Sequence, residues 1–135
     1  MNLRLGRIVI AAIAAEVLGI LALVILVAIF GPRGFEAAQP FAERLGAWVG
    51  PISGFVLCIC GGYWVARRAP AQPLANGFAM GVAAAVLDLA SAAALGASLE
   101  PLLLLSNVGR IVGGTIGGGL AAWRGGPRDA LSRIP

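Results

Sequence analysis

The chain has 135 residues, of which 59% are hydrophobic and only 12% are charged. Because soluble globular domains carry about 25% charged residues, this composition excludes an ordinary water-soluble domain and predicts lipid as the solvent. The net charge of +4 comes from ten arginines, and the chain has no histidine, which excludes His-ligated haem and His-based zinc sites. We therefore expect no metal and no cofactor.

Four apolar segments follow one another along the chain, at about residues 8–30, 46–66, 74–95 and 101–123. Each has the length of roughly 20 residues that an α-helix needs to cross a hydrocarbon core of ~30 Å. We predict an all-α fold, an integral membrane bundle of four transmembrane helices that forms a single domain over residues 1–135. The lipid bilayer is its first expected partner.

The arginines are distributed unevenly around these segments. One side carries Arg4, Arg7, Arg67, Arg68, Arg124, Arg128 and Arg133. The other side carries Arg33, Arg44, Glu36, Glu43 and Glu100, and has no net positive charge. Because cytoplasmic loops are enriched in Arg and Lys, this pattern predicts that both termini are cytoplasmic.

The bias toward Ala, Gly and Arg is typical of a GC-rich bacterial genome, so we expect the bacterial inner membrane. The net charge follows from this topology and calls for no nucleic-acid partner.

The connection between the first two segments, residues 31–45, is the only long one. Phe41, Leu45 and Trp48 recur at i, i+4 and i+7 at its end, which predicts a short helix lying on the outer membrane interface. We expect the second transmembrane helix to begin after it, near residue 46.

The three tryptophans fall near the ends of the predicted helices, Trp48 at the outer side and Trp64 and Trp123 at the inner side. Amphipathic aromatic rings prefer the membrane interface. We interpret these residues as interface anchors, with a ligand-binding role as the alternative.

The fourth segment contains glycines that recur every fourth residue. They form two series, Gly109, Gly113 and Gly117, and Gly114 and Gly118. Small residues at this spacing let two membrane helices approach closely. The pattern fits either the inner seam of one bundle or the interface of a homo-oligomer, and the sequence does not choose between them.

Three ionisable residues fall inside the apolar segments, and two of them have similar depth. At a rise of 1.5 Å per residue, Asp88 and Arg110 lie within about one helical turn of each other across the membrane. We predict that they form a buried ion pair between the third and fourth helices, with Asn107 as a further hydrogen-bond partner. Such a pair can fix which helices are neighbours, or it can take part in substrate binding or gating.

The third ionisable residue, Glu16, is expected to lie apart from this pair, about a turn nearer the inner face. A desolvated carboxyl without a cation favours its neutral form. Glu16 is therefore either a proton-binding site, as a proton-coupled carrier requires, or a neutral acid that donates one hydrogen bond between helices.

Residues 12–19, AIAAEVLG, resemble the first helix of the small multidrug resistance transporters, and residues 58–64, CICGGYW, look like a stretch found in some members. These are four-helix proteins with one essential membrane glutamate that binds protons and cationic substrate in turn. They work as antiparallel homodimers. The resemblance implies that Glu16 has this role and that the chain self-associates.

Two functions are consistent with these features. The first is a proton-linked transporter or exporter of small molecules that uses Glu16. The alternative is a non-enzymatic accessory or assembly subunit that docks onto a larger membrane complex through its glycine-rich fourth helix. The titratable Glu16 favours the first, whereas the single predicted orientation favours the second. We do not expect an enzyme, because the sequence shows no nucleophile–base set.

Overall fold

The computed structural model describes residues 3–96, 98 and 100–125. These residues form four α-helices, which are α1 (Leu5–Phe30), α2 (Phe35–Ala66), α3 (Pro73–Ala94) and α4 (Pro101–Arg124). The described part of the chain contains no β-strand, so the predicted all-α, four-helix fold is confirmed. Arg128 and Arg133, which contributed to the predicted orientation, lie outside the described residues.

Three of the helices, α1, α2 and α3, are long and apolar enough to cross a membrane. The helix α1 exposes large aliphatic side chains along its length, such as Val17 and Ile20, which are 56% and 62% exposed. Lipid is the solvent that tolerates such a surface. The helix α4 has 24 residues, two more than α3, but its glycines and its polar residues Asn107 and Arg110 make it less apolar than the other three.

The helix α2 differs from the prediction. It begins at Phe35 rather than near residue 46, and runs for 32 residues with Pro40 and Pro51 inside it. The separate interfacial helix predicted within residues 31–45 is therefore wrong, because residues 35–45 are the first turns of α2. An interior proline removes one helical hydrogen bond and crowds the preceding turn, yet the helix continues through both positions. The chain reverses between α1 and α2 at Gly34, whose φ of 109° favours glycine.

The glycines of α4 lie in a seam within the single chain. A Cβ atom on Gly113 would lie 2.6 Å from the Phe55 carbonyl oxygen of α2, and one on Gly118 would lie 2.7 Å from the Pro73 carbonyl oxygen of α3. Gly117 faces α2 and Gly114 faces α3 in the same way. Backbones this close leave no room for a side chain. Gly109, in contrast, would meet no described atom within 4 Å.

The helix α1 packs on α2 and α3, on the opposite side from α4. Its small residues Ala11, Ala12 and Ala15 are buried in the main apolar core together with Cys58 of α2 and Met80 of α3. Among the described residues, α1 and α4 do not pack against each other.

The first turn of α1, the start of α3 and the ends of α2 and α4 meet at one end of the bundle, which we call the arginine end. There the Arg4 backbone N–H donates to Asn76 Oδ1 over 2.9 Å. Arg124 Nη1 donates to the Tyr63 hydroxyl over 3.4 Å. The opposite end of the bundle holds the helix ends at residues 30, 35, 94 and 101.

Candidate functional site

Arg110 of α4 lies in the middle of the bundle and is 6% exposed. Its Nη2 donates to Asp88 Oδ1 of α3 over 2.9 Å, and its Nη1 forms an ion pair with Glu16 Oε1 of α1. One guanidinium thus serves two carboxylates on two different helices. A guanidinium suits this task because its planar fork presents several N–H donors in different directions.

The helices α2 and α3 leave the space that this side chain needs. A Cβ atom on Gly54 of α2 would lie 3.1 Å from Arg110 Nε. On α3, a Cβ atom on Gly81 would lie 2.7 Å from the Arg110 carbonyl oxygen, so the two backbones touch there. Asp88 follows Gly81 by two turns on the same face of α3. All four helices therefore meet around Arg110.

Asn107 orients the second carboxylate. Its Nδ2 donates to Asp88 Oδ2 over 2.8 Å and to the Leu103 carbonyl oxygen over 2.9 Å. Asn107 and Arg110 are three residues apart, so they share one face of α4 and together contact both oxygens of Asp88. The structure thus brings together Asp88, Arg110 and Asn107, which were predicted to form a buried ion pair with one further hydrogen-bond partner.

The sequence predicted that Glu16 lies apart from this cluster, and this prediction is wrong. Glu16 shares Arg110 with Asp88, and the side chains of the two acids are only 17% and 19% exposed. The backbone positions of Glu16 and Arg110 differ in depth by about one turn, and the arginine side chain is long enough to cover that difference. The guanidinium also carries two terminal nitrogens, so one arginine can pair with both acids.

The cluster contains one more acid than base. With Glu16 and Asp88 both ionised, Arg110 neutralises only one of the two negative charges. A second negative charge in a desolvated site is costly unless a proton or another cation compensates it. The cluster is also not saturated with hydrogen bonds, since Arg110 Nε and Asn107 Oδ1 are buried without a hydrogen-bond partner among the described residues. Its composition therefore suits a site that takes up and releases a proton.

A cavity of about 840 Å³ connects this cluster to the end of the bundle opposite the arginine end. Asp88 and Arg110 line its deepest part, whereas Glu16 is not among its lining residues. Two further carboxylates, Glu43 and Glu100, line its mouth together with Ser98. The remaining lining residues are Gly46, Ala47, Gly50, Pro51, Ala92, Gly96, Leu102, Leu103 and Ser106.

The α2 wall of this cavity contains a helix irregularity. Pro51 has no amide hydrogen, so the carbonyl of Ala47, four residues earlier, lacks its usual helical donor. Both residues line the cavity. In membrane helices such freed carbonyls are tolerated where they face protein or a polar space. Ser106 of α4 also lines this part of the cavity.

The predicted interface anchors have different environments. Trp48 and Trp123 are 74% and 80% exposed. Trp123 lies in the last turn of α4, whereas Trp48 lies inside α2, 13 residues after its start at Phe35, rather than near the start of the helix as predicted. Trp64 is half-buried at the arginine end, where the Arg7 guanidinium lies 4.0 Å from the centre of its ring. None of the three tryptophans lines the large cavity.

Sequence reasoning missed three features of the site. In the sequence Glu43 and Glu100 stand only as loop charges, and the place of Glu43 at the cavity depends on the early start of α2. Nothing in the sequence distinguishes Gly54, which makes room for Arg110, from the other glycines, since the chain contains 20 of them. The 840 Å³ cavity itself arises from the packing of three helices, which residue spacing along one helix does not encode.

No family model matches this chain, and comparisons with curated proteins and with solved structures also give no match.

Proposed function

We propose that this protein is a proton-linked transporter of a small molecule in a bacterial inner membrane. The observation that carries the proposal is the sharing of one guanidinium by two carboxylates at the base of a cavity. Buried ionisable residues inside a membrane bundle are costly, and proton relays and substrate pathways are where they usually occur.

The exchange that couples proton and substrate takes place at the shared arginine. A proton that binds a carboxylate oxygen of Glu16 or Asp88 removes one negative charge and weakens that acid's attraction to Arg110. A substrate that enters the cavity from its mouth reaches Asp88 and Arg110 and competes for the same groups. Proton and substrate then favour different arrangements of the cluster, which is the thermodynamic requirement for coupling.

The resemblance to the small multidrug resistance transporters supports the same role for Glu16. In those proteins the membrane glutamate alternates between protons and substrate. Here the alternation would involve two acids, because Asp88 shares the arginine and lies on the cavity side of it.

The accessory-subunit alternative has less support. It assumed that the glycine-rich face of α4 is free to dock onto a partner. Gly113, Gly114, Gly117 and Gly118 are buried against α2 and α3 of the same chain, so docking through α4 would have to use its exposed aliphatic face instead.

Transport is tested with the purified protein in lipid vesicles that enclose a pH-sensitive dye and carry an imposed pH gradient. A panel of amines, quaternary ammonium compounds and small carboxylates is added outside. We expect at least one compound to accelerate proton flux, and expect Glu16→Gln and Asp88→Asn to abolish the effect. Glu36→Gln is the matched control, because Glu36 is an exposed acid that does not line the cavity.

A second measurement does not require the substrate to be known. Infrared difference spectroscopy of the protein in bilayers follows the carboxyl band that disappears in Glu16→Gln. We expect this carboxyl to change between its ionised and protonated forms within the physiological pH range. A band that stays constant over that range, with no compound accelerating proton flux, would reject the proposal and leave a structural subunit.

A further inference from the structure

A narrow groove runs between α1 and α2 on the surface of the bundle. It has a volume of about 230 Å³ and ends at Trp64, near the arginine end. Its walls are apolar and include Ile10, Ala14 and Leu18 of α1, and Leu57, Cys60 and Trp64 of α2. From Trp64 to Leu57 the groove follows the helix for about 10 Å, which matches the upper part of a lipid acyl chain in length.

A cluster of arginines lies at the end of this groove. The Arg7 guanidinium lies 4.0 Å from the centre of the Trp64 ring. Arg4, Arg67 and Arg68 are close enough to repel Arg7 electrostatically. Within the described residues, the arginine end of the bundle carries no Asp or Glu side chain that could neutralise them.

The groove and the arginines are parts of one surface because Trp64 belongs to both. Stacking on the ring fixes the position of the Arg7 guanidinium and leaves its N–H donors at the edge free to bind an acceptor. Basic clusters next to membrane helices attract anionic headgroups, and basic pockets between helices bind them specifically.

We propose that this surface binds an anionic phospholipid, with the phosphate at Arg7, Arg67 and Arg68 and one acyl chain in the groove between α1 and α2. A zwitterionic lipid would fit the groove but would carry no net charge for the cluster. A soluble phosphate would meet the arginines but would leave the groove empty. This assignment does not depend on the proposed transport function.

The headgroup half of the proposal is tested by native mass spectrometry of the full chain in detergent. Phosphatidylglycerol or phosphatidylcholine with identical acyl chains is added in turn. We expect tighter retention of phosphatidylglycerol, and a loss of roughly fivefold in its affinity for each arginine removed in Arg67→Gln and Arg68→Gln. The control is the double variant Arg33→Gln, Arg44→Gln, which removes two exposed arginines from the opposite end.

The acyl-chain half is tested with a substitution that fills the groove. Ala14 lines the groove and is exposed, so Ala14→Phe places a ring in it without disturbing the core. We expect Ala14→Phe to weaken phosphatidylglycerol binding severalfold. Ala28→Phe is the control, because Ala28 is exposed on the same helix outside the groove.

Three results would overturn the assignment. Equal retention of the two lipids would show that the arginines do not select an anionic headgroup. Equal losses in the Arg67/Arg68 and Arg33/Arg44 variants would indicate general surface charge. Displacement of the lipid by excess inorganic phosphate, with Ala14→Phe binding like the unmodified protein, would indicate an anion site without an acyl chain.

Discussion

Glu16 of α1 and Arg110 of α4 form an ion pair although, in the described part of the chain, their helices do not pack against each other. The arginine side chain passes between α2 and α3 to reach the acid, and contacts Asp88 of α3 on the way. One side chain therefore connects helices that backbone packing alone would leave separate. We therefore expect the stability of the bundle to depend on this side chain.

We expect Arg110→Gln to lower the free energy of unfolding by about 3–5 kcal/mol, because it leaves two buried acids without their cation. The measurement is reversible unfolding in bicelles by steric trapping. Arg44→Gln, which removes an exposed arginine, is expected to change stability by less than about 0.5 kcal/mol. Equal effects of the two substitutions would contradict a structural role for Arg110.

The two acids are expected to be energetically coupled through the arginine they share. Removing one, by Glu16→Gln or Asp88→Asn, leaves a neutral pair of Arg110 and the other acid. Removing both leaves the arginine unpaired, so the double variant should lose more stability than the sum of the single variants, by roughly 0.5–3 kcal/mol. Additive losses in the same unfolding assay would mean that the acids act independently.

Two glycines of α4 with different surroundings test the helix seam. A Cβ atom on Gly114 would lie 2.5 Å from the Gly77 carbonyl oxygen, whereas one on Gly109 would meet no described atom within 4 Å. Gly114→Ala should therefore lower stability by about 1–3 kcal/mol through overpacking. Gly109→Ala should raise it slightly, by up to about 1 kcal/mol, since alanine favours helix over glycine. Thermal unfolding in detergent distinguishes the two, and a reversed order would refute the described packing.

The two cysteines offer a similar comparison on α2. Cys58 is completely buried in the apolar core, and Cys60 is exposed. We expect Cys58→Leu to destabilise the bundle by about 1–3 kcal/mol, because the core has no room for the larger side chain. Cys60→Leu should have little effect on the same unfolding transition. Comparable losses for both would show that α2 is rotated relative to the orientation described here.

Much of the fold could be predicted from the sequence because lipid imposes a simple rule on helix length and apolarity. The starts of α3 and α4 near residues 74 and 101 follow from prolines at the first helical position. The early start of α2 could not be predicted in this way. Pro40 suggests that a helix breaks there. In the structure, the turns that carry Phe41, Leu45 and Trp48 belong to the same continuous helix as the transmembrane part.

The candidate site was only partly predictable for a different reason. Depth along each helix was enough to bring Asp88 and Arg110 together, because both lie on faces with small residues. The position of Glu16 depended on the reach of one side chain and on the space left at Gly54, which are properties of the assembled bundle.

The shared arginine also has a consequence for biogenesis. Synthesis runs from the N-terminus, and Arg110 follows Glu16 by 94 residues, which takes roughly 5–20 s at typical translation rates. Both acids are therefore made before the only cation that pairs with them in the described structure. During that interval neither acid has its cation, and a charged residue at the centre of a membrane helix costs about 2.5–3.5 kcal/mol on insertion scales. The fourth helix thus supplies the cation that completes the cluster, after both acids have been made.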